Sequence, residues 1–290
     1  MLKLAGVYTA MITPFKDGKV DYTALEKQVE DQISGGVAGL IPVGTTGESP
    51  TLDCEEHLEV IAKTIEFADG RCQIIAGTGA NSTAEAIKLT RAAKALGADA
   101  SLQVTPYYNK PTAEGLYRHF STVAEATELP VVLYNVPGRA GVPIPVETIA
   151  RLSENPLMVA VKEAGGSVDR VSLIRDCCDI TVLSGDDALT LPMMAVGATG
   201  IISVASNVIP AELVKMVNLA LEGDFKAAGA LHKKYYRFFV DLFIESNPIP
   251  VKAAMEIIGK GKAEYRLPLC ELTPAHYEQL RQTMIRCGVI

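Results

Sequence analysis

The sequence lacks the residue spacings that hold a metal ion or a disulfide framework. Its six cysteines include no C-x-x-C pair, and the adjacent Cys177 and Cys178 suit neither zinc chelation nor an ordinary disulfide bond. Its four histidines are scattered and show no H-E-x-x-H spacing. We therefore expect a protein without a bound metal, whose thiols are reduced and buried, as is usual in the cytosol.

Positive charge is also scarce. The 290 residues carry 27 lysines and arginines against 34 aspartates and glutamates, a formal net charge of −7, and no basic stripe is present. This balance argues against a general affinity for nucleic acid or anionic lipid. A small anionic substrate stays possible, because a pocket can be locally positive inside an acidic protein.

The sequence contains no pattern typical of a signal peptide or a membrane helix. Residues 1–5 lead directly into a strand-like run. An uncharged stretch at 188–211 contains two prolines and two glycines, which favours a helix, a turn and a buried strand over a membrane span. We predict a soluble, cytoplasmic protein.

Short runs rich in β-branched residues recur along the chain, and polar or glycine-rich turns and helical periodicity follow them. The predicted strands are residues 6–12, 40–43, 73–76, 100–104, 131–135, 158–163, 181–184 and 200–205. Helices are predicted at 22–35, 54–67, 82–95, 113–127 and 212–221. Asp53 and Ser82 are candidate N-caps, and Gly97 is a candidate helix end. Apolar strands that alternate with helices at roughly 25–30 residues indicate parallel strands with right-handed crossovers.

Eight such units predict an α/β protein with the (β/α)8 TIM barrel fold. An open doubly wound sheet is the alternative, but it usually has fewer strands and a phosphate-binding glycine fingerprint, which the first unit lacks. We place the catalytic barrel at residues 1–223. Residues 224–290 show helical periodicity without strand runs and are predicted to form a small C-terminal helical region.

Lys162 lies near the end of an apolar predicted strand, and in these barrels the active site lies at the carboxyl ends of the strands. Burying an ammonium there is costly, so a lysine at this place supplies the neutral amine that addition to a carbonyl requires. The protonated imine formed with a keto acid would stabilise an enamine at the neighbouring carbon. The alternative is a structural lysine paired with a carboxylate or reaching solvent. Lys252, the other lysine in an apolar context, is predicted to lie on a polar helix face.

Two other strand ends carry candidate binding groups. The segment G-T-T-G-E-S at 44–49 lets the backbone approach a ligand, and Thr45 and Thr46 offer hydroxyls and amides to a carboxylate. An ordinary turn before a helix is the alternative. After the fifth strand, Tyr134 can pass protons during imine formation if a hydrogen bond to Thr46 positions it. Arg139 can bind a carboxylate through two parallel bonds, or be an exposed loop arginine.

The fourth and seventh strands also end in polar or aromatic groups. Tyr107 and Tyr108 form an exposed pair on a proline-bracketed loop, which favours a subunit interface. Asp186 and Asp187 are neighbours on an extended chain and point in opposite directions, so a shared metal or an acid–base pair is not expected. One of them is predicted to cap a helix.

Three motifs together resemble the class I pyruvate-dependent aldolase family: G-T-T-G-E at 44–48, Y-N-V-P at 134–137 and V-K-E at 161–163. They occur in order on the second, fifth and sixth strands, and the likeness covers almost the whole chain. The family includes N-acetylneuraminate lyases and 2-keto-3-deoxy-sugar-acid aldolases. Arg139 and N-P-I-P-V-K at 247–252 resemble the branch that condenses pyruvate with L-aspartate 4-semialdehyde in lysine (diaminopimelate) biosynthesis.

The resemblance implies roles for the matching residues. It implies that Lys162 forms an imine with pyruvate and that Thr45 and Thr46 bind the pyruvate carboxylate. It also implies that Arg139 holds the carboxylate of aspartate semialdehyde. No cofactor beyond the covalent imine is implied.

The same resemblance implies further groups at the site and an assembly. Tyr134 and Thr46 would relay protons with Tyr108 of the partner subunit, and Gly185 and Ile202 would line the pyruvate pocket. The expected partners are the two small-molecule substrates and further copies of the chain, in a homotetramer built as a dimer of dimers.

Some positions depart from the family pattern. Ala140 and Gly165 stand where residues with a hydroxyl are common, although neither change removes a catalytic group. The positions that bind inhibitory lysine in the family are matched by Ser49, His57, Asn81, Glu85 and Tyr107. Pro50 and Cys54 differ from the residues usual beside these positions, so we expect weakened or absent inhibition by lysine.

Two other functions stay open at the level of sequence. An aldolase that splits a 2-keto-3-deoxy sugar acid or sialic acid would use the same lysine, and Arg139 argues against it. A non-catalytic keto-acid-binding regulator would keep the fold alone, and the intact set of Lys162, Tyr134 and Thr46 argues against that.

Overall fold

The structure, a computed structural model, describes residues 2–290 of the chain. Met1, with which the predicted catalytic barrel begins, lies outside the described residues. In the described range, parallel strands close into a barrel in which the first strand pairs with the last. The barrel strands are β1 Gly6–Ala10, β4 Gly39–Ile41, β5 Gln73–Gly77, β6 Ala100–Val104, β7 Val131–Asn135, β8 Met158–Glu163, β9 Thr181–Ser184 and β10 Gly200–Ser203. The predicted (β/α)8 barrel is confirmed.

Helices surround the barrel and continue beyond it. They are α1 Tyr22–Ser34, α2 Cys54–Ala68, α3 Thr83–Leu96, α4 Ala113–Thr127, α5 Pro137–Ala140, α6 Val146–Ser153, α7 Val168–Cys177, α8 Thr190–Ala195, α9 Pro210–Leu221, α10 Phe225–Asp241, α11 Ile249–Ile257 and α12 Pro274–Cys287. The predicted caps are confirmed: Asp53 and Ser82 accept from backbone N–H groups of α2 and α3, and Gly97 ends α3 in the left-handed conformation.

Some local features differ from the prediction; the strand predicted at 6–12, for example, ends at Ala10. A hairpin of β2 Phe15–Lys16 and β3 Lys19–Val20 was not expected, because two-residue strands leave no readable alternation. The last barrel strand ends at Ser203 rather than Ala205. The cause is the buried carboxylate of Asp187, which accepts from the backbone N–H groups of Val204 and Ala205 at 3.1 and 3.2 Å and holds the chain in a turn.

The apolar interior has two main parts. One cluster fills the barrel and includes Tyr8, Ile41, Leu102 and Ile202. A larger cluster packs the outer faces of the strands against the helices and extends to α10, α11 and α12. The C-terminal helices therefore share a core with the barrel. No helix in residues 2–290 is both long enough and apolar enough to cross a bilayer.

The expectation that the thiols are buried is wrong for half of them. Cys54, Cys177 and Cys270 are exposed, because the first two lie at helix termini and the third in the loop before α12. Cys287 is buried. All six are free.

Candidate active site

Lys162 lies near the carboxyl end of β8 and faces a cavity at the mouth of the barrel. Its side chain is 5% exposed, and no carboxylate in residues 2–290 lies within 4.0 Å of its ammonium. Tyr134 is its register partner on β7, and Lys162 Nζ lies 4.2 Å from the centroid of the Tyr134 ring. The amine therefore lies against an aromatic face, and no carboxylate of the described residues is within ion-pair distance of it.

The cavity next to Lys162 has a volume of about 220 Å³. Its walls include Thr46, Tyr134, Val136, Arg139, Lys162, Gly185, Asp186, Val204, Phe243 and Asn247. A Cβ atom at Gly185 would lie 3.0 Å from Lys162 Cε and 2.7 Å from Ala164 Cβ. Glycine at this position therefore leaves the space that the lysine side chain occupies.

The loop after β4 presents Thr46 to this cavity. Gly47 packs closely here, because a Cβ atom on it would lie 2.9 Å from the Val43 backbone. In residues 2–290 the backbone N–H groups of Thr45 and Thr46 have no acceptor, whereas those of Gly47 and Glu48 bond within the loop. Two free amides beside a threonine hydroxyl form a place for a carboxylate.

The hydrogen bond expected between Tyr134 and Thr46 is not formed within the described residues. Thr46 Oγ1 instead accepts from Asn247 Nδ2 at 2.9 Å. Asn247 comes from the C-terminal region, whose approach to the barrel mouth sequence reasoning did not foresee. Since the amide group donates here, the Thr46 hydroxyl keeps its own proton for another acceptor.

A second cavity of about 220 Å³ adjoins the first across Tyr134. Tyr134, Val136 and Arg139 line both cavities, whereas Thr45, Ser49, Pro50 and Tyr107 line the second. Its remaining walls are largely apolar, and they include Val43, Leu102, Val104 and Ala140. The two threonines therefore face neighbouring spaces rather than one.

Arg139 lies on the short helix α5, at the edge of both cavities. Its side chain is exposed, and its Nη2 donates to the backbone carbonyl of Asn247 at 3.1 Å. The guanidinium thus lies at the barrel mouth and keeps further donors for an anionic ligand.

Besides Thr45, two further predicted residues do not line the Lys162 cavity. Ile202 packs inside the barrel cluster, and Val204, two residues further along, lines the cavity in its place. Tyr108 is 91% exposed and has a positive φ of 71°, and it lines neither cavity of its own chain. Within one chain, the structure therefore does not bring Tyr108 to Lys162.

The predicted pair of aspartates separates into two roles. Asp186 caps the turn that follows β9 by accepting from Ala188 N and Leu189 N, so the prediction of a cap is confirmed. Asp187 is buried and binds Ser203 Oγ and two backbone amides. Burial raises the pKa of Asp187 to about 6, although these hydrogen bonds oppose the shift.

Most of the residues matched to the lysine-binding positions surround a third cavity, of about 200 Å³. Its walls include Ser49, His57, Glu85 and Tyr107, together with Pro50 and Cys54. Asn81 contributes indirectly, because its Nδ2 donates to the Tyr107 carbonyl at 3.2 Å. Burial lowers the pKa of His57, and a bond to the Gly77 carbonyl and the charge of Glu85 oppose that shift.

The prediction that Lys252 lies on a polar helix face is wrong. The residue is 1% exposed, and its ammonium pairs with the carboxylate of Glu48. The helical periodicity of α11 did not predict the burial of Lys252, because this helix buries nearly all of its residues and has no polar face. Lys252 therefore has a carboxylate partner, whereas no carboxylate in residues 2–290 pairs with Lys162.

Comparisons with known proteins cover nearly the whole chain. The model of the dihydrodipicolinate synthetase family matches residues 3–286. A 4-hydroxy-tetrahydrodipicolinate synthase of Methanocaldococcus jannaschii is 50% identical over 286 residues, which are 98% of this chain and 99% of that protein.

Solved structures agree with this similarity. A dihydrodipicolinate synthase of Acinetobacter baumannii complexed with pyruvate has a TM-score of 0.97 at 47% identity and covers 99% of this chain and 100% of its own. A structure described as the first monomeric dihydrodipicolinate synthase variant has a TM-score of 0.97 at 40% identity, with coverages of 99% and 97%.

Proposed function

The chain belongs to the dihydrodipicolinate synthetase family, and on this premise we propose that it condenses pyruvate with L-aspartate 4-semialdehyde to 4-hydroxy-tetrahydrodipicolinate, a step of lysine biosynthesis. One observation carries the assignment of the reactive group. Lys162 is an enclosed amine without a carboxylate partner in residues 2–290, and it borders a cavity together with Tyr134, Thr46 and Arg139.

The covalent chemistry starts at Lys162 Nζ. The neutral amine adds to the ketone carbon of pyruvate, and loss of water gives a protonated imine. Removal of a proton from the pyruvate methyl group gives an enamine, whose carbon attacks the aldehyde carbon while the aldehyde oxygen takes up a proton. The substrate's own amino group then attacks the imine carbon, which closes the ring and releases Lys162. Because the imine accepts the electrons, we propose that the reaction needs no resident cofactor.

We propose that the loop after β4 binds pyruvate. We assign its carboxylate to the Thr46 hydroxyl and to the free backbone amides of Thr45 and Thr46. The bond from Asn247 to Thr46 Oγ1 supports this assignment, because it leaves the Thr46 hydroxyl as a donor toward the cavity.

Proton transfer is assigned to Tyr134, whose ring lies against Lys162 Nζ. We propose that Tyr108 of the partner subunit completes the relay with Tyr134 and Thr46. The exposure of Tyr108 in its own chain and the largely apolar cavity beside Tyr134 support a second copy docking here. The full assembly that we propose is a homotetramer built as a dimer of dimers.

Trapping with borohydride tests the role of Lys162. Reduction in the presence of pyruvate should add the reduced pyruvate moiety to Lys162, as located by peptide mass mapping, and Lys162→Arg should abolish the adduct. Lys252 supplies an internal control, because its pairing with Glu48 protects it. No adduct, or an adduct on Lys252, would contradict the proposal.

In this proposal Arg139 determines the specificity for the second substrate, the aldehyde. Arg139→Ala should strongly lower condensation with L-aspartate 4-semialdehyde and leave pyruvate trapping intact, because the guanidinium lies at the edge of the cavity rather than against Lys162. Greater activity on a 2-keto-3-deoxy sugar acid or sialic acid than on aspartate semialdehyde would instead favour the sugar-acid aldolase. Absence of turnover on every aldehyde would favour a regulator.

A further inference from the structure

A polar network outside the barrel wall fixes the segment that carries Arg139. This segment runs from Asn135, at the end of β7, to the start of α6. Ile144 lies near its far end and has both backbone groups bonded. Its N–H donates to Asn135 Oδ1 at 2.9 Å, and its carbonyl accepts from Arg170 Nη2 on α7.

Glu163 is the centre of this network. It follows Lys162 on β8, and successive residues of a strand face opposite sides, so Lys162 faces the cavity while Glu163 faces α7. Its carboxylate is fully buried and accepts from Asn135 Nδ2 at 2.7 Å and from Arg170 Nε at 2.8 Å. Arg170 therefore bonds Glu163 through Nε and the Ile144 carbonyl through Nη2.

The absence of a side chain at Gly165 leaves space for the Glu163 carboxylate. A Cβ atom there would lie 2.6 Å from Glu163 Oε1 and 3.2 Å from Asn135 Nδ2, and the Gly165 N–H donates to the same carboxylate oxygen at 2.8 Å. The departure from the family pattern at this position, which the sequence left unexplained, thus makes room for the carboxylate.

We propose that Arg170 is a positioning residue for the aldehyde substrate, because it anchors, through Ile144, the segment that presents Arg139 at the cavity. The inference rests on the proposed role of Arg139. Lys162 is held by the hydrogen-bonded ladders to β7 and β9, which do not involve Arg170. Loss of the anchor therefore affects the step that uses Arg139 and spares imine formation.

A double-mutant cycle with Arg170→Lys and Arg139→Ala tests the proposal. A lysine keeps the charge but cannot bond Glu163 and the Ile144 carbonyl with one planar group. Arg170→Lys should lower kcat/KM for L-aspartate 4-semialdehyde by about 10-fold or more, because small misplacements of a binding group are costly. The yield of the reduced pyruvate adduct on Lys162 should stay within about twofold of that of the original protein. This change is much smaller than the expected loss of kcat/KM for the aldehyde substrate. In the Arg139→Ala background, Arg170→Lys should cause no further loss.

The matched control is Arg175→Lys on the same helix. Arg175 is exposed, and its nearest carboxylate oxygen, on Asp179, lies 3.8 Å away, so kinetics should not change. Additive losses in the cycle, or an equal loss of pyruvate trapping, would overturn the proposal. If Arg170→Lys lowers the thermal midpoint sharply, the cycle is repeated with Glu163→Gln and Arg170→Gln combined, which removes both charges. Failure of the proposed function has a different signature, because the original protein would then form no adduct on Lys162.

Discussion

Glu48 and Lys252 form an ion pair that is sealed from solvent and joins the loop after β4 to helix α11. Lys252 Nζ also donates to the Glu264 carbonyl at 2.8 Å and lies 4.1 Å from the centroid of the Phe15 ring. Burial lowers the pKa of Lys252, and the charge of Glu48 opposes that shift. The pair therefore couples the loop that carries Thr45 and Thr46 to the C-terminal region.

Breaking this pair from one side should be costly. Glu48→Gln leaves the Lys252 ammonium buried without a counter-charge, so we expect the free energy of unfolding to fall by roughly 3–5 kcal/mol. Glu48→Gln combined with Lys252→Met removes both charges and should cost less. Denaturant unfolding of Glu48→Gln, of Lys252→Met and of the double variant measures the difference, and Lys63→Met, at an exposed ion pair with Glu66, is the control. A double variant as unstable as the sum of its parts would contradict this account.

Tyr108 of the partner subunit can be tested by complementation. Tyr108→Phe and Lys162→Ala should each lower activity severely when present in every subunit. Mixed dimers of the two variants contain one site in which both intact residues meet, so co-assembly should restore about one quarter of the original activity. Steady-state rates after mixing and reassembly measure this recovery. Recovery equal to the sum of the separate variants would show that Tyr108 acts within its own chain or has no role.

Asp187 gives stability a predictable dependence on pH. Its pKa rises from 3.8 to about 6 on folding, so between these values the folded protein binds more protons than the unfolded chain. The contribution of Asp187 to stability therefore falls as the pH rises from about 4 to about 6, by about 3 kcal/mol at most. Asp186, its neighbour, adds to the upward shift.

The variant Asp187→Asn isolates this contribution. An amide oxygen can still accept from Val204 and Ala205, and the amide nitrogen can donate to Ser203 Oγ. As the pH rises from 4 to 6, the unfolding free energy of the variant should increase relative to that of the original protein. A difference that stays constant with pH would refute the assignment.

Inhibition by lysine is expected to be weak or absent. Glu85 and Tyr107 line the third cavity, but Pro50 and Cys54 occupy its wall where the family pattern has other residues. Initial rates at rising lysine concentrations measure the effect directly. Cys54→His combined with Pro50→Ala should increase inhibition, because it restores a ring and a smaller side chain. Strong inhibition of the original protein would show that the two departures do not matter.

Local sequence predicted most of the strands because buried parallel strands have a distinctive pattern. Residues 100–104, 131–135, 158–163 and 181–184 were assigned with the bounds that the structure has. The strand predicted at 40–43 ends at Ile41, since Val43 adopts a positive φ of 49° in the loop that presents Thr46. Runs of β-branched residues do not reveal such a turn.

The sequence by itself determined the order of strands and helices, the barrel class and the identity of the reactive lysine candidate. These follow from local periodicity and from motifs whose members lie close along the chain. Only the tertiary structure decided that Lys252 is paired whereas Lys162 has no carboxylate partner in residues 2–290, and that Asn247 reaches Thr46 across 201 positions. Burial and charge pairing depend on which segments distant in sequence contact each other, and a local residue pattern does not predict those contacts.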